Sequence, residues 1–128
     1  MALYSNVIDL IGNTPMVDIS PLSPNPAVSI YAKLEGQNPG GSVKDRAAKF
    51  MIEAAERDGL LQPGSVVLES SSGNTGIALA MICKVRGYHL KVVLLENVSV
   101  ERRQALEVWG TEIIPSPAAE GSNGAMRR

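Results

Sequence analysis

The amino-acid sequence predicts an α/β domain, a three-layer arrangement of helices on both faces of a parallel sheet, with a short N-terminal arm ahead of it. Three observations predict this. Short apolar runs at Val66-Val67-Leu68, Leu90 to Leu95 and Glu112-Ile113-Ile114 alternate with helical segments at Thr75 to Val85 and Ser99 to Trp109. Each helical segment ends at a glycine, Gly87 and Gly110. The connections are tight, and strand–helix–strand order with tight connections gives parallel pairing with the helices packed on the sheet. Strands buried on both sides account for the continuous apolar runs.

The elements follow in order. Residues 1–35 form the arm and an edge strand. They read as a helical turn, the tight segment Ile11-Gly12-Asn13-Thr14-Pro15, and a short strand from Met16 to Ile19. The loop Ser20-Pro21-Leu22-Ser23-Pro24-Asn25-Pro26 excludes a helix interior and a central strand. Ser29 to Leu34 is a strand with Ile30, Ala32 and Leu34 on one face. Residues 36–128 form the α/β body. Gly36 to Ser42 is a turn-rich loop, and Val43 to Asp58 is a helix stopped by Gly59, with Val43, Ala47, Phe50, Met51, Ala54 and Ala55 on its apolar face. The helix from Ser99 takes Ser99 as N-cap. Pro115 stops the last strand, and Glu120 to Arg128 reads as a cap and a first helical turn. That ending is expected of the front portion of a longer domain pattern; a short fraying tail is the alternative.

Composition narrows the function. The chain has 128 residues, a formal net charge of -1 and 45% hydrophobic residues, values of a globular protein without a basic excess for nucleic acid. One Cys and one His exclude an intramolecular disulfide, a multi-Cys zinc site and a helix-borne His pair, so no metal centre is expected. The apolar runs fall far short of the ~20 residues of a membrane span, and the N-terminus has no signal-peptide pattern, so a cytoplasmic location is expected.

Two loops carry chemistry. In Asn38-Pro39-Gly40-Gly41-Ser42-Val43-Lys44-Asp45-Arg46, a Gly-rich turn feeds a helix whose first turn holds Lys44. The positive end of the helix dipole disfavours a cation there. Partial burial and the dipole would both favour the neutral, nucleophilic amine; the plain alternative is a solvated lysine that snorkels away from the helix end. In Glu69-Ser70-Ser71-Ser72-Gly73-Asn74-Thr75-Gly76, a buried strand runs into a helix, at the carboxyl end of a parallel strand where ligands bind. Five hydroxyl or amide side chains in positions 70–75 exceed what capping by Ser72, Asn74 or Thr75 requires, and with the helix N–H groups they suit a carboxylate or phosphate.

Other motifs fail. Gly36 to Gly41 has the spacing of a P-loop, but Ser42 stands where its Lys belongs. The dinucleotide fingerprint and the Gly-x-Ser-x-Gly elbow are absent, and His89, Cys83 and Trp109 read as structural.

At the two loops the sequence resembles the cysteine synthases, pyridoxal-phosphate (fold type II) enzymes of the tryptophan-synthase-β group; the cystathionine β-synthases share most of the motifs. Ile11-Gly12-Asn13-Thr14-Pro15, Lys33-Leu34-Glu35 and Glu101-Arg102-Arg103 agree as well, and the resemblance runs from about Tyr4 to the last residue. It implies that residues 1–35 belong to the larger domain of the fold and 36–128 to the smaller one, incomplete at its C-terminus. It implies pyridoxal 5'-phosphate as cofactor, joined to Lys44 as a Schiff base, with the freed amine later acting as acid and base at the substrate α-carbon. Asn74 would bond the cofactor ring hydroxyl. Ser71, Ser72, Gly73, Asn74 and Thr75 would hold the substrate carboxylate.

The implied reaction is β-replacement. An activated serine, O-acetylserine or O-phosphoserine, loses its leaving group and gains sulfide to give cysteine, with the cofactor as electron sink. A possible homodimer is implied, as is cystathionine formation as an alternative. A different reading is a non-catalytic truncated chain or one half of a split protein that needs a partner. Ser70 stands where the family usually has Pro, so a less pre-organised carboxylate loop is expected, and Gly40 stands where it usually has Thr, so a looser lysine loop is expected. After Gly76 the sequence offers no counterpart of the family's Gly/Thr-rich phosphate loop or of the residue that bonds the ring nitrogen. Weak cofactor binding and slow or absent turnover are therefore expected of this chain alone.

Overall fold

The computed structural model describes residues 3–71 and 73–118. In the arm, β1 (Met16–Asp18) and β2 (Tyr31–Lys33) pair antiparallel with Val17 opposite Ala32. The proline-rich connection begins with a 3-10 turn, Ser20–Leu22, that places Pro21 where a missing N–H costs nothing. Ser20 pins it: its N–H donates to Asp18 Oδ1 (2.8 Å) and its hydroxyl accepts the Ile30 N–H (2.9 Å).

The body opens with α1 (Lys44–Arg57). Three parallel strands follow, β3 (Val66–Glu69), β4 (His89–Leu95) and β5 (Glu112–Ser116), in the order β3-β4-β5. Helices α2 (Asn74–Arg86) and α3 (Val100–Glu107) are the crossovers. The register sets Val67 opposite Leu90 and Val92 opposite Ile113, so these residues and Leu94 share one face. They are the strand members of the core, which also takes Ala48 and Ile52 from α1, Leu79 and Ile82 from α2 and Leu106 from α3. All three helices therefore pack on that face, and two of the three expected layers lie within the described residues.

Three local expectations change. The strand β3 is not covered on both sides: Val66 and Leu68 are 55% and 61% exposed. Only the central strand β4, with Leu90, Val92, Val93 and Leu94 buried, fits that description. The buried stripe of α1 is Asp45, Ala48 and Ile52, while Phe50 and Met51 of the expected face are 65% and 54% exposed. Alanines occupy both sides of this helix, so apolar spacing left its orientation open, and α1 lies with the fully buried Ala48 toward α2. Finally, β5 continues through Pro115 to Ser116, because an edge strand tolerates a residue without an N–H. The expected turn at Glu120–Arg128 lies outside the described residues.

Cys83 is buried, which pushes its thiol up to about 11, and Trp109 packs against the core; both are structural, as expected. No helix among the described residues is long and apolar enough to cross a membrane.

Candidate active site

Lys44 is the first residue of α1. Its N–H donates to Ser42 Oγ at 3.1 Å, which satisfies one of the orphan donors of the helix start. The buried side of this first turn is occupied by the next residue. Asp45 is fully buried, and its Oδ2 accepts the Gly40 N–H, folding the Gly-rich turn back onto the helix. Burial pushes the Asp45 carboxyl above its ordinary range, and the Gly40 N–H partly opposes this. The other oxygen, Oδ1, has no hydrogen-bond partner among the described residues.

Lys44 is exposed, because Asp45 takes the inward position; of the two readings of this lysine, the solvated one describes it. A Cβ at residue 40 would collide with the Asp45 carboxylate, so any larger residue there requires that side chain to shift.

The second loop leaves the carboxyl end of β3. Gly73 is the N-cap of α2 in extended conformation, and among the described residues no side chain caps the helix. Asn74 and Thr75 lie inside the helix, which removes the plain capping role for these two. Ser71 Oγ accepts the Gly73 N–H at 3.3 Å, and the Ser70 N–H donates to Glu69 Oε1 at 3.0 Å. A Cβ at Gly76 would meet the Ser71 carbonyl at 2.5 Å, so only glycine lets the loop lie over the first turn of α2. Asn74 is exposed; Ser71, Gly73 and Thr75 are half-buried. Ser72 lies outside the described residues.

The opposite ends of the two helices fix how the loops relate. Arg86 lies 3.8 Å from carboxylate oxygens of both Glu53 and Glu56, and the Tyr88 hydroxyl donates to Glu56 at 2.9 Å. The C-terminal ends of α1 and α2 are therefore together. Glu56 follows Lys44 by twelve residues, and Arg86 follows Asn74 by twelve. Each span is about 18 Å of helix. Lys44 and residues 73–75 therefore stand at the opposite, N-terminal ends of the same two packed helices.

Lys44, Ser71 and Asn74 do not line the three clefts described here. One of about 330 Å³ adjoins the lysine loop at Gln37 and Pro39. Sequence reasoning passed over Asp45. The signal was a charged residue in the helical series 45, 48, 52, the series that turns inward.

A family model described as pyridoxal-phosphate dependent enzyme matches residues 7–128. The chain belongs to that family. It is 45% identical over 123 residues to a cysteine synthase of Staphylococcus aureus, covering 96% of this chain and 40% of that one. It is 50% identical over 115 residues to cysteine synthase B of Salmonella typhimurium, covering 90% of this chain and 38% of that one.

Among solved structures, a hydrogen sulfide-producing enzyme of Fusobacterium nucleatum superposes with a TM-score of 0.90 at 47% identity, over 99% of this chain and 41% of that one. An O-acetylserine dependent cystathionine beta-synthase of Helicobacter pylori gives 0.89 at 36% identity, over 99% and 42%. The chain thus has the α/β fold of these enzymes and spans about 40% of the length of the relatives it matches.

Proposed function

We propose that this chain supplies the lysine loop and the substrate-carboxylate loop for cysteine formation from an activated serine, O-acetylserine or O-phosphoserine, and sulfide. The observation that supports the reading is the joining of α1 and α2 at their C-terminal ends, which leaves Lys44 and residues 73–75 at the N-terminal ends of the same two helices. The donor set suits pyridoxal 5'-phosphate: a primary amine for the aldehyde, the Asn74 amide for the ring hydroxyl, and hydroxyls with helix N–H groups for an amino-acid carboxylate. Bound there, the cofactor would supply an electron sink for a carbanion at the substrate α-carbon.

The remaining work falls to the chain itself. Ser71, Ser72, Gly73, Asn74 and Thr75 would orient the substrate by its carboxylate. Lys44, once displaced by the substrate amine, would take the α-proton. Residues 1–35 would belong to the larger domain of the fold, and the partners would be the amino acid, sulfide and a second copy of the chain, in the cytoplasm. Exposure of Lys44 means that its amine is solvated here. Weak retention of the cofactor and little turnover follow for the chain alone.

Reduction with borohydride after adding pyridoxal 5'-phosphate, then peptide mapping, tests the reading. Label concentrated on Lys44 is expected. Even label over Lys33, Lys44, Lys49, Lys84 and Lys91 would overturn it.

A second reading, a half-protein that docks on a partner, is favoured by the uncovered side of β3 and by Met51 and Leu60, both exposed around an apolar cleft of about 240 Å³. Cystathionine formation is the remaining alternative, favoured by the likeness to the Helicobacter enzyme. Product analysis with O-acetylserine, O-phosphoserine, or serine plus homocysteine separates these activities.

A further inference from the structure

Segments far apart in the chain converge on one carboxylate. Glu35 Oε2 accepts Arg46 Nε at 2.8 Å and Asn38 Nδ2 at 2.9 Å; its Oε1 accepts Arg46 Nη2 at 3.0 Å and the Thr14 hydroxyl at 2.9 Å. Four donors saturate the two oxygens. The outer members close the ring. Arg46 Nη2 also donates to Thr14 Oγ1 (3.0 Å), and Asn38 Oδ1 accepts the Gly12 N–H (2.8 Å). Gly12, at φ +90, passes so close that a Cβ would lie 3.0 Å from Arg46 Nη1. Thr14 and Asn38 are buried, so the network is shielded from water on the arm side.

Arg46 stands two residues after Lys44, in the same first turn of α1. A guanidinium that meets a carboxylate with two parallel bonds fixes direction as well as distance. Held by this fork, the first turn of α1 cannot rotate about its axis or slide along the arm without breaking it. Asp45, bonded to Gly40, holds the same turn from inside.

We propose that Glu35 and Arg46 are positioning residues for Lys44: their fork locks the first turn of α1 to residues 12–15, so the arm sets the point from which the amine reaches. This rests on the assignment of Lys44 above. The pair is also built to stay charged, since Arg46 before all other neighbours holds the Glu35 carboxyl down to about 2.

The test uses the whole chain, the borohydride-trapped label and hydrogen exchange at residues 40–46. In Arg46→Ala, the share of label on Lys44 relative to Lys49, Lys84 and Lys91 should fall about tenfold, and the amides of 40–46 should exchange about tenfold faster. Low-millimolar guanidinium should restore both in Arg46→Ala and neither in Glu35→Ala, a rescue that a general loss of stability would not show. Arg46→Lys, which keeps the charge and loses the fork, carries the same readouts where Arg46→Ala does not fold, and should fall between it and the parent.

A Lys44 share and exchange rates within twofold of the parent in the folded variants would overturn the proposal. If the parent itself labels all lysines evenly, the assignment of Lys44 falls. The lock is then judged on exchange alone, and unchanged protection at 40–46 overturns it.

Discussion

The two loops at the N-terminal ends of α1 and α2 are held by different kinds of bond. The lysine loop is tied to residues distant in sequence, Arg46 to Glu35 and Thr14 and Asn38 to Gly12, and is closed on itself by Asp45 across the turn to Gly40. Several of these bonds are charge-assisted, and Asp45, Asn38 and Thr14 are buried. Among the described residues of the second loop, the side-chain bonds run to immediate neighbours, Ser70 to Glu69 and Gly73 to Ser71. Local bonds survive in an unfolded chain and can be exchanged for water, whereas the long-range set exists only when the fold is complete. The lysine side should therefore be the rigid part of the site and the hydroxyl side the adjustable part.

Substitution of the two close-approach glycines gives the largest effects. Gly40→Ala forces a methyl against the buried Asp45 carboxylate and separates it from the Gly40 N–H, at a cost of about 3 kcal/mol. Gly76→Ala forces an equally short contact, but the Ser71 carbonyl belongs to a locally bonded loop that can yield, so about 2 kcal/mol is expected. Urea midpoints decide the order. A larger loss at Gly76 would mean that the hydroxyl loop, not the lysine loop, is the rigid one.

Acid separates the loops next. With the Glu35 carboxyl held near 2 against an ordinary 4.5, the folded state binds its proton later than the unfolded chain does. Its contribution to stability is thus complete above about pH 4.5 and is lost as pH falls toward 2. Asp45 works the other way. Its raised carboxyl makes stability fall as pH rises from its ordinary 3.8. In urea midpoints taken from neutral pH down to about pH 2, Glu35→Gln should flatten the acid loss, and Asp45→Asn should remove the opposing slope. A Glu35→Gln curve that still bends like the parent's would show that the lock does not govern the acid response.

Much of this architecture was legible beforehand, for definable reasons. The helix α2, expected over Thr75 to Val85 and found at Asn74–Arg86, is bounded by chain punctuation, a Gly-rich loop before it and Gly87 after. The face of α1 was not legible, because alanine packs on either side and the inward series includes the charged Asp45. That one residue also decides between the two readings of Lys44, since it takes the inward position and leaves the lysine outward, and it packs against Gly40. The end of β5 was misread because Pro115 stops a strand only where its N–H is needed, and an edge does not need it. The motif residues Gly12, Thr14 and Glu35 were visible as a resemblance, but their convergence on Arg46 depends on the arm folding back, which no spacing encodes.

The smallest expected effect is the most discriminating for the adjustable loop. Ser71 is half-buried, and its hydroxyl accepts a single long bond from the Gly73 N–H, a group that water can serve equally well. Ser71→Ala should therefore cost no more than about 0.5 kcal/mol in a urea melt. It should also leave the Lys44 share of the borohydride-trapped label unchanged, because no bond of the lysine loop passes through residue 71. Ser71→Thr keeps the hydroxyl and should match the parent in both measurements. A loss at Ser71→Ala approaching that at Gly40→Ala would make the hydroxyl loop part of the folding core. A fall in Lys44 labelling without loss of stability would instead show the two loops acting as one unit, with the hydroxyl at 71 helping to present the cofactor aldehyde to the amine.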